Sequence, residues 1–501
     1  MFEEAHNNAG AGSRIFRNFG YLTLGKVLAD GFTFLFFLVL ARNYGQEGIG
    51  QYSFAMALTG VLVVFADFGL QNLSIKDMSR DRDQVAVYYG RLMAVRLLLS
   101  VAVCSALVGM TAFLPFSEEM KLLILVIGVY QVFITLVNGF GAVFVALESM
   151  HVTSLLEVSL RVTTAITGIV IVGWGGSLLL AISSLPVMTI LHVAFGYYLT
   201  HRRCGALHLS VTLASVRHVL GDAFPYALHA FFEIFSSRVA LIFIGFMLSA
   251  GATGIFNVAY RFVFVLLFIP VFARLAIFPV ASRLHVSSPE QLKELFRITL
   301  NLAIVLGLPM AAGIWLIAPE LVEVLYGLEF VQSIEILRWL AWLIPMVFLR
   351  CIMEIFLIAS DRQPLVTRSH LLIAGIGAIL QYCLIVGFGL QGAAAATLLA
   401  EMLLIVLLGS QLKALFVWQS IGRRIGICTL AVIVFLVPLG MWNHLAMPVT
   451  ILFSVLIYGG VLGIFKDIRQ NELTLILNYL AYNRGIPSAV SQKPITKTGQ
   501  T

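Results

Sequence analysis

Along the 501-residue chain, apolar stretches long enough to cross a bilayer alternate with short polar gaps almost from end to end. A spanning helix needs ~20 apolar residues. Runs of that length begin near Phe19, Ile49, Tyr88, Glu119, Val152, Ser177, Asp222, Ala252, Arg297, Ile334, Leu365, Gln391, Ile421 and Ala446. The pattern predicts an all-α polytopic membrane protein with about 14 transmembrane helices. After Lys466 a short apolar stretch, 473–480, precedes Pro, Ser, Thr and Lys, which reads as an interfacial helix and a disordered end.

Composition narrows the class. The chain is 60% hydrophobic and 11% charged, against roughly 45–50% and about 25% in soluble domains. Spans at this density leave no room for a large soluble domain. The net charge of +7 is scattered through short gaps rather than gathered in one polar region, which argues for orientation in a membrane and against a nucleic-acid partner. Lys and Arg fall in every second gap, at Arg14 and Arg17, Lys76 to Arg82, Arg202 to Arg217, Arg283 and Lys293, Arg362 and Arg368, and Lys413 to Arg424. The intervening gaps hold only Arg42 and Lys121, and the longest carries Glu320, Glu323 and Glu329. By the positive-inside rule both termini are then cytoplasmic. The polar first eighteen residues run directly into the first apolar segment, the expected targeting signal. Five cysteines, Cys104, Cys204, Cys351, Cys383 and Cys428, stand far apart without disulfide or zinc spacing, so packing roles are expected and no metal or cofactor.

The two halves carry a repeat. Gly50-Gln51-Tyr52-Ser53-Phe54-Ala55 leads into the second helix, and 204 positions later Gly254-Ile255-Phe256-Asn257-Val258-Ala259 leads into the eighth. Ile171-Val172-Gly173-Trp174-Gly175 lies between the fifth and sixth helices, and Ile385-Val386-Gly387-Phe388-Gly389 between the eleventh and twelfth. Six is even, so both units enter the bilayer in the same direction, giving two pseudo-symmetric six-helix lobes about an axis along the membrane normal, with two extra C-terminal helices. The expected divisions are a cytoplasmic segment 1–18, an N-terminal lobe 19–200, an inter-lobe loop 201–221, a C-terminal lobe 222–416, helices thirteen and fourteen in 417–466, and a cytoplasmic tail 467–501. Lobes so arranged enclose a central cavity.

Arg17-Asn18-Phe19, Ala41-Arg42 with Gly45 and Gly50-Gln51-Tyr52, and Asp67-Phe68-Gly69-Leu70 resemble the polysaccharide exporter family of the multidrug/oligosaccharidyl-lipid/polysaccharide superfamily. Gly254-Ile255-Phe256 with Ala259-Tyr260-Arg261, and Gly389 with Gly392-Ala393-Ala394, agree with it in the second half. The resemblance implies a flippase that moves an isoprenoid-pyrophosphate-linked oligosaccharide from the inner to the outer leaflet of a bacterial cell membrane by alternating access. It also implies polysaccharide assembly enzymes as partners.

Ionisable residues inside the bilayer cost on the order of 2.5–3.5 kcal/mol each, which makes every one a functional candidate. Lys26 and Asp30, Glu157 and Arg161, and Arg350 and Glu354 are spaced four apart and are expected to pair within their helices. Glu233, Arg238, Arg261 and Glu401 add to the set. Lys26, Arg238 and Arg261 are the candidate ligands of the pyrophosphate, because guanidinium presents a planar fork of donors to phosphate oxygens. Arg161 and Arg350 are secondary cavity candidates. Asp30, Glu233, Glu354 and Glu401 are candidates for coupling to a proton, a sodium ion or the membrane potential. Asp30 and Glu233 lie 203 apart and are candidate equivalents in the two lobes. Arg96 and Arg274 are expected to snorkel. The four consecutive alanines after Gly392 permit close helix approach.

Two other functions share parts of this pattern. A membrane glycosyltransferase or polymerase would need more than Asp81-Arg82-Asp83, which sits in a gap too short for a nucleotide-binding fold, so no enzyme is expected. A multidrug/cation antiporter of the same superfamily would share the lobes but present mainly carboxylates to its cavity.

Overall fold

The computed structural model describes residues 2–80, 85–205, 212–266 and 268–412, with residue 426. Asp81-Arg82-Asp83, the expected helices of 417–466, Cys428 and the tail 467–501 lie outside the described residues.

Among those residues every regular element is helical. The N-terminal lobe comprises α1 (Phe2–Asp67), α2 (Leu70–Arg80), α3 (Val85–Phe113), α4 (Glu118–Ala146), α5 (Met150–Gly173) and α6 (Leu178–Cys204). The C-terminal lobe comprises α7 (Leu213–Met247), α8 (Ala250–Leu266), α9 (Phe268–Ser287), α10 (Pro289–Tyr326), α11 (Gln332–Leu340), α12 (Leu343–Ala359) and α13 (Gln363–Gln411). Gly45 (φ 64°) and Gly389 (φ 58°) interrupt α1 and α13, and each divides one long helix into two crossings. A left-handed backbone is open to glycine at no steric cost. Gly175, the repeat partner of Gly389, is also left-handed at φ 77°. With α8 and α9 as consecutive parts of one crossing, and α11 and α12 as parts of another, the described residues hold the first twelve of the expected spans.

Polar residues start these helices where the apolar runs leave off. Ser117, Ser177 and Thr212 each accept a hydrogen bond from a backbone N–H of the first turn of α4, α6 and α7, as N-caps do. His201, Arg202 and Arg203 sit in the last turn of α6, where cations meet the free carbonyls. The helix therefore runs on to Cys204, past the end of its apolar run.

The repeat segments pack on each other. A Cβ on Gly254 would strike the carbonyl of Gln46, and one on Gly50 would strike the carbonyl of Ala250. Those two approaches are related by the 204-residue offset, as are Ser53 and Asn257, which share a hydrogen bond from Asn257 Nδ2 to Ser53 Oγ (2.5 Å). Reciprocal contacts of this kind define a pseudo-two-fold axis. In the second repeat pair, a Cβ on Gly392 would overlap the carbonyl of Leu384, and Ala393, Ala394 and Ala396 are fully buried.

Both ends of the bundle carry contacts between the lobes. At the Gly45 end, Arg42 donates to the carbonyls of Leu325 (2.7 Å) and Val324, capping the end of α10. The Gln46 backbone N–H donates to Glu329 Oε1 at 2.9 Å, and its side chain donates to the Glu329 carbonyl. Phe54, Phe116 and Phe246 cluster there with centroids 5.1–5.6 Å apart. At the other end α1 breaks at Phe68 and Gly69, and the Gly69 backbone lies against Ala223, Tyr226 and Ala227 of α7. Phe65 meets Phe231 and Phe68 meets Phe224 at the same junction.

Arg96 does not snorkel. Its side chain is 1% exposed and its Nη2 lies 2.7 Å from Asp67 Oδ1, the acid of the Asp-Phe-Gly-Leu motif. The pair ties α3 to the end of α1, because a buried guanidinium needs a carboxylate more than it needs the headgroup region.

Two stability predictions follow from this packing. Gly254→Val is expected to cost on the order of 1–3 kcal/mol or more by overpacking, read as a lower melting temperature or loss of a monodisperse peak in detergent. Gly375→Val, at a position with open space around it, should leave both unchanged. Asp67→Leu leaves Arg96 buried without its partner and should cost roughly 3–5 kcal/mol. The double variant Asp67→Leu/Arg96→Met should regain most of that loss in the same melt.

Candidate functional site

The charged residues of α1 lie away from its lipid face. Leu24, Leu28 and Leu35 are about half exposed along one side of the helix. At 100° per residue, Lys26 and Asp30 fall on the opposite side, toward the other helices. They form an ion pair at 3.5 Å and are themselves about half exposed. Exposure on the inner face of a membrane helix marks a polar interior.

Two helical turns from Asp30, the same face reaches the junction between the lobes. Phe37 stacks beneath the guanidinium of Arg261, whose Cζ lies 5.1 Å from the ring centroid, so a C-terminal-lobe cation rests on an N-terminal-lobe ring. Phe37 and Phe262 also meet Tyr326 edge-on, which packs α10 behind this contact. From α5, Arg161 Nη1 donates to Tyr130 Oη on α4 at 2.8 Å. The expected intrahelical partner Glu157 acts on Arg161 only through its field. Tyr52, in the Gly50-Gln51-Tyr52 motif, is buried close enough to Arg261, Arg161, Arg238 and Tyr130 for their fields to reach its hydroxyl. Asp30 in turn acts on both Arg161 and Arg261. Arg161, Arg238 and Arg261, from three helices of both lobes, thus lie within electrostatic range of Tyr52, and Asp30 within range of two of them. Lys26 lies one turn away on α1.

A second cluster lies within the C-terminal lobe. Arg350 on α12 donates through Nη1 to Glu354 Oε1 (2.7 Å) and through Nε to Glu401 Oε1 (2.6 Å) on α13. Glu354 Oε1 also meets His370 Nε2 at 3.0 Å. These four side chains are all at least four-fifths buried. Tyr260 links the clusters, feeling Arg238 on one side and Glu401 and Arg350 on the other. Glu233 stands apart on α7, 65% exposed, with His229 Nε2 3.9 Å away. Arg274 is exposed.

The partners of the charges are what the sequence pattern did not single out. Tyr52, Tyr130, Tyr326 and Phe37 carry no spacing signal of their own in an apolar helix. Tyr52 alone stood in a repeated motif. His370 was hidden because Arg350 and Glu354 look complete as an i,i+4 pair.

Comparison with known proteins places this architecture. The family described as polysaccharide biosynthesis protein matches residues 15–285. The probable low-salt glycan biosynthesis flippase Agl15 of Haloferax volcanii is 23% identical over 472 residues, covering 90% of this chain and 96% of its own. Among solved structures, the lipid II flippase MurJ in an inward closed conformation aligns with a TM-score of 0.74 at 14% identity, over 89% of this chain and 98% of that one. An inward-facing multidrug resistance MATE transporter of the MOP superfamily aligns with a TM-score of 0.60 at 14% identity, over 77% and 95%. The structural likenesses speak to the fold, two lobes of membrane-crossing helices, and the family match to descent. The chain is a polytopic membrane protein and belongs to the polysaccharide biosynthesis protein family.

Proposed function

We propose that the chain flips a lipid-linked oligosaccharide, holding its phosphate-bearing head group at Arg161, Arg238 and Arg261 while the isoprenoid tail stays in the bilayer. The observation that supports this reading is how those arginines are held. Arg161 is bonded to a phenol and Arg261 rests on an aromatic ring. Neutral partners fix a guanidinium without cancelling its charge, whereas Arg96 and Arg350 face carboxylates directly. An anion entering the lobe junction would meet uncompensated positive charge in a low-dielectric setting, where it counts most. Lys26 is paired with Asp30 and is the weaker ligand of the three first expected.

Transport by alternating access fits the two-lobed architecture. The close crossing of α1 and α8 supplies an axis, and the contacts at the Gly45 and Asp67 ends supply two closures that can break in turn. With the termini cytoplasmic, as the Lys and Arg pattern favours, the Gly45 end is the outer one. The division into lobes at 19–200 and 222–416, with helices 417–466 as an addition, and residence in a bacterial cell membrane belong to the same proposal. Agl15 and MurJ bear flippase names, and on this reading assembly enzymes would be separate partners. A multidrug/cation antiporter would be expected to present mainly carboxylates at the lobe junction, where Asp30 stands with three arginines.

Arg261→Gln should lower cell-surface glycan about tenfold or more, equivalent to ~1.4 kcal/mol or greater, with lipid-linked glycan accumulating on the inner leaflet at equal protein level. Arg261→Lys, which keeps the charge but not the planar fork, should fall between that variant and wild type. Unchanged export in Arg261→Gln would remove this residue from the site. A deletion phenotype confined to drug sensitivity would favour the antiporter.

A further inference from the structure

The buried cluster of the C-terminal lobe does not balance its charge. Arg350 contributes one positive charge, and Glu354 and Glu401 contribute two negative ones, all within hydrogen-bonding distance of the same guanidinium. Burying an uncompensated charge is costly. One group in contact can supply the missing positive charge at accessible pH: His370, whose Nε2 lies 3.0 Å from Glu354 Oε1 and whose side chain is 9% exposed.

His370 has a neighbour of its own kind. The ring of His229 on α7 stands perpendicular to it with centroids 6.0 Å apart. His229 Nδ1 is buried and makes no hydrogen bond, while its Nε2 lies 3.9 Å from Glu233. Two imidazolium charges at this separation would repel each other. Each site has its own counter-ion: Glu354 behind His370 in the interior, and Glu233 beside His229 at an exposed edge.

The other groups whose fields reach this cluster do not replace that proton. Tyr260 on α8 faces Glu401 and Arg350. Cys351, next to Arg350 on α12, also feels Arg274 of α9. Arg238 of α7 reaches the cluster through Tyr260. Among the described residues, neither Arg274 nor Arg238 forms an ion pair with Glu354 or Glu401.

We propose that His229 and His370 form a two-position proton site: with the proton on His370 against Glu354, neutral His229 packs on its ring and holds α7 to α13, and with the proton on His229 beside Glu233, α7 is freed to move with the lobe junction. This rests on the flippase reading and names its coupling ion. The proton moves between ring nitrogens and carboxylates; no covalent bond to carbon forms or breaks. Imidazole changes charge between about pH 5 and 8, so the device would respond to an ordinary transmembrane pH difference.

The test uses the full chain, its five cysteines replaced by serine, with nitroxides at Lys76 on α2 and Arg217 on α7, both exposed. It is placed in nanodiscs of phosphatidylethanolamine and phosphatidylglycerol at 3:1, roughly a bacterial mixture. Electron-electron distance distributions are recorded at pH 5.5 and pH 8. The expected result is a shift of population between two distances in the parent protein, lost in His229→Gln and in His370→Gln, and kept in Arg261→Gln. His229 is only partly buried, so His229→Gln decides the matter even if the His370 variant does not fold. A distribution that is the same at both pH values, or a shift that survives His229→Gln, overturns the proposal. The experiment contains no glycan: a pH response without glycan flipping would sink the flippase reading alone, and flipping without the response would sink only the proton site.

Discussion

Lipid tails are as apolar as leucine, so no hydrophobic force presses one membrane helix against another, and the bundle must be held by close packing and a few hydrogen bonds. In this protein the tightest approach is the crossing of α1 and α8 at Gly50 and Gly254, where each glycine admits the partner's backbone. The Ser53 to Asn257 hydrogen bond sits on the axis of that crossing. Everything placed between the lobes takes its position from it. Tyr52 is the residue before Ser53, and Arg261 follows Asn257 by one helical turn.

The same low dielectric that makes packing decisive makes each interior charge answerable to a partner. Three solutions are visible. Arg96 is neutralised by Asp67 at the break in α1, where the carboxylate also lies near the backbone N–H of Gln71 at the start of α2. Arg350 is held between two carboxylates and a histidine. The arginines at the junction are fixed by an aromatic face and a phenol. The first is structural, the second joins two helices through carboxylates and an imidazole, and the third leaves guanidinium groups on neutral partners. The chemistry of the partner, more than the presence of the charge, separates scaffold from site.

Which parts of this were legible in the sequence follows from the range of the interactions. Membrane spans and the repeat are written in local periodicity and in a fixed offset, so Gly50 and Gly254, or Gly175 and Gly389, could be paired before any coordinates. Arg238 and Arg261 stood out because nothing at i±4 could neutralise them. The surroundings of the charges were not legible. The pattern offered Glu157 to Arg161, yet the guanidinium turns to Tyr130, 31 positions away. It sent Arg96 to the headgroups, yet Asp67 draws it inward. It closed Arg350 and Glu354 on each other, so Glu401, though singled out, was not joined to them and His370 was passed over. Side-chain contacts between helices depend on rotation and depth, which an apolar run does not encode.

The two lobes share a backbone but not a chemistry. By the offset of 204, the counterpart of Arg261 is Ala57 and that of Arg238 is Phe34, while the offset of 214 places Val187 opposite Glu401. Symmetry thus supplies the axis, and departure from symmetry supplies the charge. The arrangement suits a transporter of one large anion. Atoms near an axis move least when lobes rock about it, and Arg261 lies one turn from the residue on that axis. A head group bound there can keep part of its grip while the closures at the Gly45 and Asp67 ends exchange. A pair of symmetric sites farther out would instead be pulled apart at each turn of the cycle. On the flippase reading proposed above, the small distance between axis and arginine matters as much as the charge itself.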